Sequence, residues 1–290
     1  MNFRIILLFL AVFSAPAQGA SLELSHQARS LQPGEVVRIT VRSPEPLTSL
    51  QVEVFGRAFL FFTSADPSLW EGLVGIDLDT PAGNHEIVLA GRTRSGDRVG
   101  GSYTLKVLDK AFETRRLTVD EKFVNPPQES LERIERESRK LNRIFSAVAS
   151  ERIWREPFSS PVPGAPTSGF GKRSILNGQP RSPHSGTDFD ADEGVPVKAP
   201  SQGKVVLAED LYFSGNTVIL DHGQGLYSYF AHLSRMTVEV GEMIAPGQHV
   251  GDVGATGRVT GPHLHWSVRL AGARVDPLSL IAALESETPK

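Results

Sequence analysis

His263-Leu-His-Trp-Ser-Val-Arg-Leu270 alternates polar and apolar side chains, the period of a β-strand with one face on a core and the other on something polar. On such a strand His263 and His265 project to one side and Leu264 into the opposite layer. Runs with strand character precede it: Val195–Lys198, Gly203–Ala208, Asn216–Asp221, Leu226–Phe230 and His249–Val253, most of them bounded by glycine. The pattern predicts an antiparallel, all-β C-terminal region whose long loops are free to carry substrate contacts.

Working back from that stretch, His184-Ser-Gly-Thr-Asp188 and the lone His232 of Phe230-Ala-His-Leu supply further chemistry-bearing groups. Pro183 and Gly186 argue against a helix around His184, and an extended segment also puts residues i and i+4 on one side. The chain has no cysteine, so a metal site must be built from histidine and carboxylate. His184, Asp188 and His265 offer two imidazoles and one carboxylate, a set that suits zinc and leaves a fourth position open for water. Bound water of that kind has its pKa pulled toward about 7. No His-Glu-x-x-His motif supplies a glutamate base. His232 and His263 remain for proton transfer or oxyanion stabilisation, and the sequence leaves open which does which.

The first half reads differently. Val36–Arg42, Leu50–Phe55, Leu73–Leu78, His85–Leu89 and Tyr103–Leu108 alternate, with Gly or Pro in nearly every gap, which predicts an immunoglobulin-like β-sandwich over 21–109 without a disulfide. His26 and His85 stand alone there as surface or strand-end residues. Over 110–160 a linker is expected, with one helix near 128–150. Its apolar stripe is Leu131, Ile134, Leu141, Ile144, Phe145 and Val148, and Glu132/Arg136 and Glu135/Arg139 stand at i,i+4 spacing. A second β domain over 161–283, carrying the histidine and aspartate candidates, and a tail over 284–290 complete the expected division.

Ile5 to Phe13 is an unbroken apolar run followed by Ala15-Pro-Ala17, the pattern of a signal peptide over 1–20 that is cleaved on export. No later segment could then cross a bilayer. A net charge of -3 leaves no basic footprint, which argues against a nucleic-acid partner.

His184-x-x-x-Asp188, Phe230-Ala-His232-Leu and Gly261-Pro-His263-Leu-His265 together resemble the motif set of the lysostaphin/LytM-type zinc metallopeptidases of bacterial cell walls. The flanks Thr167–Arg173, Gly215–Val218, Asp221–Gly223, Gly251–Gly257 and Val275–Pro277 agree, so the resemblance covers about 160–282. It implies one zinc per chain held by His184, Asp188 and His265, with His232 and His263 as the catalytic pair. It also implies a metalloendopeptidase that hydrolyses peptide crosslinks of peptidoglycan, exported to a periplasm or secreted, with room for a regulatory partner in the envelope. The alternative is a non-enzymatic relative that binds and activates other wall hydrolases, but such relatives lose site residues and all five are present here. Two departures stand out. Phe230 occupies a position where many relatives have tyrosine, with Tyr229 adjacent, and Asp190 and Asp192 follow Asp188 as solvated carboxylates or alternative ligands.

Overall fold

Val37, Ile39 and Val41 are fully buried while Arg42 is exposed, so the alternation seen in the sequence does order a strand against a core. A computed structural model describes residues 22–285 except 64, 65, 119, 120, 122, 123 and 156. The leader expected over 1–20 and tail residues 286–290 lie outside the described residues. The first region runs β1 (Glu23–Gln27), β2 (Val36–Arg42), β3 (Leu47–Val54), β4 (Arg57–Phe59), β5 (Phe61–Thr63), β6 (Leu69–Gly75), β7 (Gly83–Thr93) and β8 (Arg98–Val107). Two sheets form, in the orders β1-β2-β6-β5 and β4-β3-β7-β8. Lettered in sequence, that is A-B-E-D against C′-C-F-G, the immunoglobulin arrangement with a C′ strand added.

Next come β9 (Thr114–Leu117) and helix α1 (Gln128–Ser146). Pro127 precedes the helix, where its fixed φ and missing N–H cost nothing, and no Gly or Pro interrupts it. The helix stops at Ser146, four residues short of the expected 150, because Ala147 is extended (φ -77, ψ 133) and its carbonyl accepts from the Tyr227 hydroxyl at 2.7 Å. Leu141, Ile144 and Phe145 lie on Leu207, Leu211, Ile219, Tyr227 and Tyr229. On the flank, Arg133 reaches Asp210 at 3.0 Å and Lys140 reaches Glu209 at 2.7 Å.

The second region contains β10 (Pro166–Ser168), β11 (Arg173–Leu176), β12 (Gln179–Pro180), β13 (Gly186–Phe189), β14 (Pro196–Lys198), β15 (Gly203–Leu211), β16 (Gly215–Gly223) and β17 (Leu226–Leu233). It continues through β18 (Arg235–Met236), β19 (Met243–Ile244), β20 (His249–Asp252), β21 (Leu264–Leu270), β22 (Ala273–Val275) and helix α2 (Pro277–Leu284). The main sheet has the order β10-β13-β21-β17-β16-β15-β19, with β22 on β21, and every pairing in it is antiparallel. One pairing elsewhere is parallel: β9, from the segment expected as linker, joins β11 in a three-stranded sheet.

The two regions share a continuous apolar core, with Leu264, Trp266, Val268 and Leu270 of β21 in the same cluster as the sandwich residues. Asp276 caps α2 by accepting from Leu278 N, with Pro277 in the first turn. Arg29 donates to Glu35 and to Asp276, and the Ser279 hydroxyl donates to Glu35 at 2.7 Å. Burial opposes ionisation of Glu35, but the hydrogen bonds from Arg29 and Ser279 prevail and hold its carboxyl below the usual range. Arg274 closes a further contact on Asp77 and Asp79. Among the described residues no helix is long and apolar enough to cross a membrane.

Candidate metal centre

Asp188 on β13 stands directly opposite His265 on β21, and Ala231 of β17 flanks His265 on the other side. Cross-strand neighbours lie within about 5 Å, so sheet register alone brings the carboxylate to the imidazole. His184 precedes β13 and is pinned by two backbone bonds, His184 N to Lys172 O and Gly171 N to His184 O, both 2.8 Å. Asp188 Oδ1, His184 Nε2 and His265 Nδ1 form a triangle with edges of 3.0, 3.0 and 2.9 Å.

That triangle fits a divalent cation. The other nitrogen of His184, Nδ1, meets the Gly169 carbonyl at 3.2 Å. A carbonyl only accepts, so Nδ1 carries the proton and a neutral His184 turns the Nε2 lone pair toward the centre. It faces an acceptor-only carboxylate oxygen at 3.0 Å. Two lone pairs at that distance are relieved by a shared cation, and metal–ligand bonds of about 2 Å can cap a triangle of this size. Burial would raise the Asp188 pKa, but its close contacts with the His184 and His265 imidazoles outweigh this and hold it far below the usual carboxylate range.

Glycine at 186 is required by packing. A Cβ there would come within 2.6 Å of the Trp266 carbonyl and 2.7 Å of the His265 ring. In the sequence Gly186 marks only a non-helical segment beside His184, and its packing against the His265 ring leaves no signal of its own.

His232 and His263 complete the group from two other directions. His232 sits at the end of β17 with φ 65, a left-handed conformation that costs a non-glycine residue strain. Its backbone N donates to Ser214 O at 2.8 Å, and its Nδ1–H donates to Thr256 O at 2.9 Å. His263 lies just before β21, where an isolated bridge pairs it with Gly254, and its Nδ1–H donates to Gly261 O at 2.9 Å. In both neutral rings Nε2 is therefore the basic nitrogen. The two rings are 4.9 Å apart, and His263 Nε2 lies 3.9 Å from Asp188 Oδ1. Burial, reinforced by the charge of His265, pushes the His232 pKa down to about 3, and the Thr256 carbonyl only partly opposes it. His232 is neutral at pH 7. Thr256, whose backbone orients this ring, left no side-chain signal in the sequence.

All five histidine and aspartate candidates line one open cleft of about 820 Å³. Leu141 and Phe145 of α1 form part of its wall, which the sequence reading did not anticipate. Tyr229 faces the cleft, its ring 6.3 Å from that of His265 and its hydroxyl bonded to Ser214. Phe230 points the other way and is fully buried. Asp190 lines the cleft, but neither it nor Asp192 joins the cluster of possible ligands among the described residues. His222 is buried between Gln202 O and Ser228 Oγ, and His249 pairs with Asp252 at the surface.

The profile of "Peptidase family M23" matches residues 182–277. The crystal structure of a putative peptidase M23 from Pseudomonas aeruginosa superposes with a TM-score of 0.64 at 34% identity, covering 88% of this chain and 97% of that one. Peptidoglycan DD-endopeptidase ShyA of Vibrio cholerae is 33% identical over 151 residues, which is 52% of this chain and 33% of ShyA. Lysostaphin of Staphylococcus staphylolyticus is 42% identical over 85 residues, 29% of this chain and 18% of lysostaphin. The chain spans about a third of the length of the curated relatives ShyA and ShyB. With 88% of this chain and nearly all of that one superposed, the chain belongs to peptidase family M23.

Proposed function

We propose that the protein is a zinc-dependent endopeptidase of the bacterial envelope that hydrolyses peptide crosslinks of peptidoglycan. The observation that carries this reading is the convergence of His184, Asp188 and His265 on one point, with two further imidazoles presenting Nε2 to the same cleft. His184 Nε2, Asp188 Oδ1 and His265 Nδ1 would hold one zinc per chain, a donor set of two nitrogens and one oxygen that zinc accepts readily. When bound, zinc supplies Lewis-acid polarisation of a carbonyl and lowers the pKa of water toward about 7.

The chain's own groups account for the proton movements. His232, neutral at pH 7 and oriented by Thr256, accepts a proton from water at Nε2. His263 turns Nε2 to the same space and is placed to hold that proton or return it to the leaving amine. The left-handed backbone of His232 supports a functional reading, since strain of this kind persists where the surrounding structure needs the side chain in one place. The names of relatives, peptidoglycan DD-endopeptidase and lysostaphin, support the substrate class. Export follows from that substrate, and the apolar run 5–13 supports it. A regulator without activity would not need an intact set of five, so the complete cluster favours the enzyme.

The test is mass spectrometry of fragments released from isolated peptidoglycan by the full-length protein, with chelator, without it, and after zinc is restored. Release that stops with chelator and returns with zinc is expected, and the fragment masses identify the bond. Release insensitive to chelator, or none under any condition, overturns the reading.

A further inference from the structure

Alternation along β17 sends His232 the wrong way. Phe230 is fully buried in the core, and a regular strand would turn the residue two places on to the same side. Ala231, paired with His265, faces the cleft instead. Yet His232 lines the cleft as well, its ring 4.9 Å from that of His263. The strand register accounts for this. Val218 pairs with Phe230 and Asn216 with Leu233, so Ala231 and His232 together oppose the single residue Thr217. That is a β-bulge, and with the left-handed φ of 65 at His232 it puts two successive side chains on the cleft face.

Two side chains that do not line the cleft close around the bulge. The Thr256 hydroxyl accepts from Asn216 N at 2.9 Å and donates to Leu233 O at 2.8 Å, linking the amide of one strand to the carbonyl of its register partner. The Asn216 side-chain amide donates to the same carbonyl at 3.0 Å and to Ser234 O at 3.3 Å. Leu233 O, on the residue directly after His232, is thus held from two sides, while the backbone carbonyl of Thr256 takes the His232 Nδ1–H at 2.9 Å. Gly215, with φ 60, admits this arrangement, since a Cβ there would collide with Thr256. A left-handed non-glycine residue persists only where its surroundings over-determine it, and these bonds do so.

We infer that Thr256 and Asn216 are positioning residues for His232: their side chains hold the bulge that turns its imidazole from the core face of β17 into the cleft. This rests on the peptidase reading for what His232 then does, and deepens it. Neither residue belongs to the His-Asp-His cluster, so losing either side chain costs the placement of the base and leaves the metal in place.

Thr256→Val keeps the shape of the side chain and removes the hydroxyl, whereas Thr256→Ser keeps the hydroxyl. On a soluble crosslinked wall peptide, Thr256→Val is expected to lower kcat about 10- to 100-fold with KM and zinc content unchanged. Thr256→Ser recovers most of that loss. Added to His232→Ala, Thr256→Val costs nothing further, because the residue it positions is gone. Nitrogen NMR of the full-length, zinc-loaded protein with labelled histidine reads the ring itself. The signal missing in His232→Ala belongs to His232, and its Nδ1–H resonance is expected to shift in Thr256→Val and return in Thr256→Ser. If Thr256→Val fails to fold, Asn216→Ala, which removes one of the two donors to Leu233 O, moves kcat and the ring signal the same way by a smaller amount. An unmoved ring signal in the folded variant, a loss that serine does not restore, or an equal loss with and without His232 overturns the clamp. A natural chain that leaves wall peptides uncut overturns the peptidase reading instead, and the ring signal still decides the clamp.

Discussion

In β2 of the sandwich, Val37, Ile39 and Val41 face the core while Arg38, Thr40 and Arg42 face outward; in β21, Leu264, Trp266, Val268 and Leu270 face the core while His265, Ser267 and Arg269 face the cleft. The binary pattern is the same. What differs is the fate of the polar face. The outer face of β2 meets solvent and ends in surface pairs such as Arg38 with Glu71 at 2.9 Å. That of β21 is walled by loops and by helix α1, so its polar groups are partly desolvated and brought together. Chemistry in this molecule depends on enclosure of a polar strand face, which alternation alone does not encode.

The comparison predicts that histidines on the two β regions respond in opposite ways. The largest effect is expected at His265: His265→Ala removes a donor from the three-atom cluster and abolishes metal retention and activity together. His85→Ala in the sandwich, where the ring bonds Pro81 O at the surface, changes neither. Elemental analysis of purified protein decides this, and stoichiometric zinc in His265→Ala would sink the ligand scheme. Next, His232→Ala keeps the metal but loses about 100- to 10,000-fold in turnover, as expected for a positioned base. Steady-state kinetics beside the same metal analysis separates the two roles.

A third effect concerns stability. His222 is buried and its pKa is pushed down to about 4 by desolvation, from 6.5 in an exposed ring. The folded state then disfavours the proton, so the stabilisation is complete above about pH 6.5 and is lost as the pH falls toward about 4. The full loss is roughly 3 kcal/mol. Denaturant titrations from pH 7 to 4 should show a steeper acid decline for the natural chain than for His222→Gln; equal slopes would show that another group carries it. The smallest effect is expected from Gly186→Ala. The added methyl meets the Trp266 carbonyl at 2.6 Å and the His265 ring at 2.7 Å, so it strains the β13–β21 pairing as it displaces the ring, and metal affinity falls about tenfold, measurable by competition with a chelating dye.

Much of the fold was readable because period-2 alternation is local. Val36–Arg42 was marked as a strand from its own residues, and the structure assigns the same span. Partner choice is not local. Nothing in Thr114–Leu117 announces that it will pair in parallel with Arg173–Leu176, since that depends on two edges meeting across the chain. The end of α1 was overrun for a similar reason, because the Tyr227 hydroxyl that takes the Ala147 carbonyl lies far away in sequence. At the site, the five side chains were visible because histidine and aspartate at those spacings are rare in combination. Their orientation was not, since it comes from the carbonyls of Gly169, Thr256 and Gly261, and a backbone carbonyl has the same composition at every residue.

Strand β9 and helix α1 bear on where this molecule can be divided. By contacts they travel with the peptidase sheet: β9 completes the sheet of β11 and β12, and α1 covers Leu207, Ile219 and Tyr227. A fragment beginning at residue 161 would inherit an open strand edge and an uncovered apolar strip, both invitations to self-association. The unit that recombination could move intact is therefore expected to start upstream of β9, with that strand and helix travelling as part of the M23 domain.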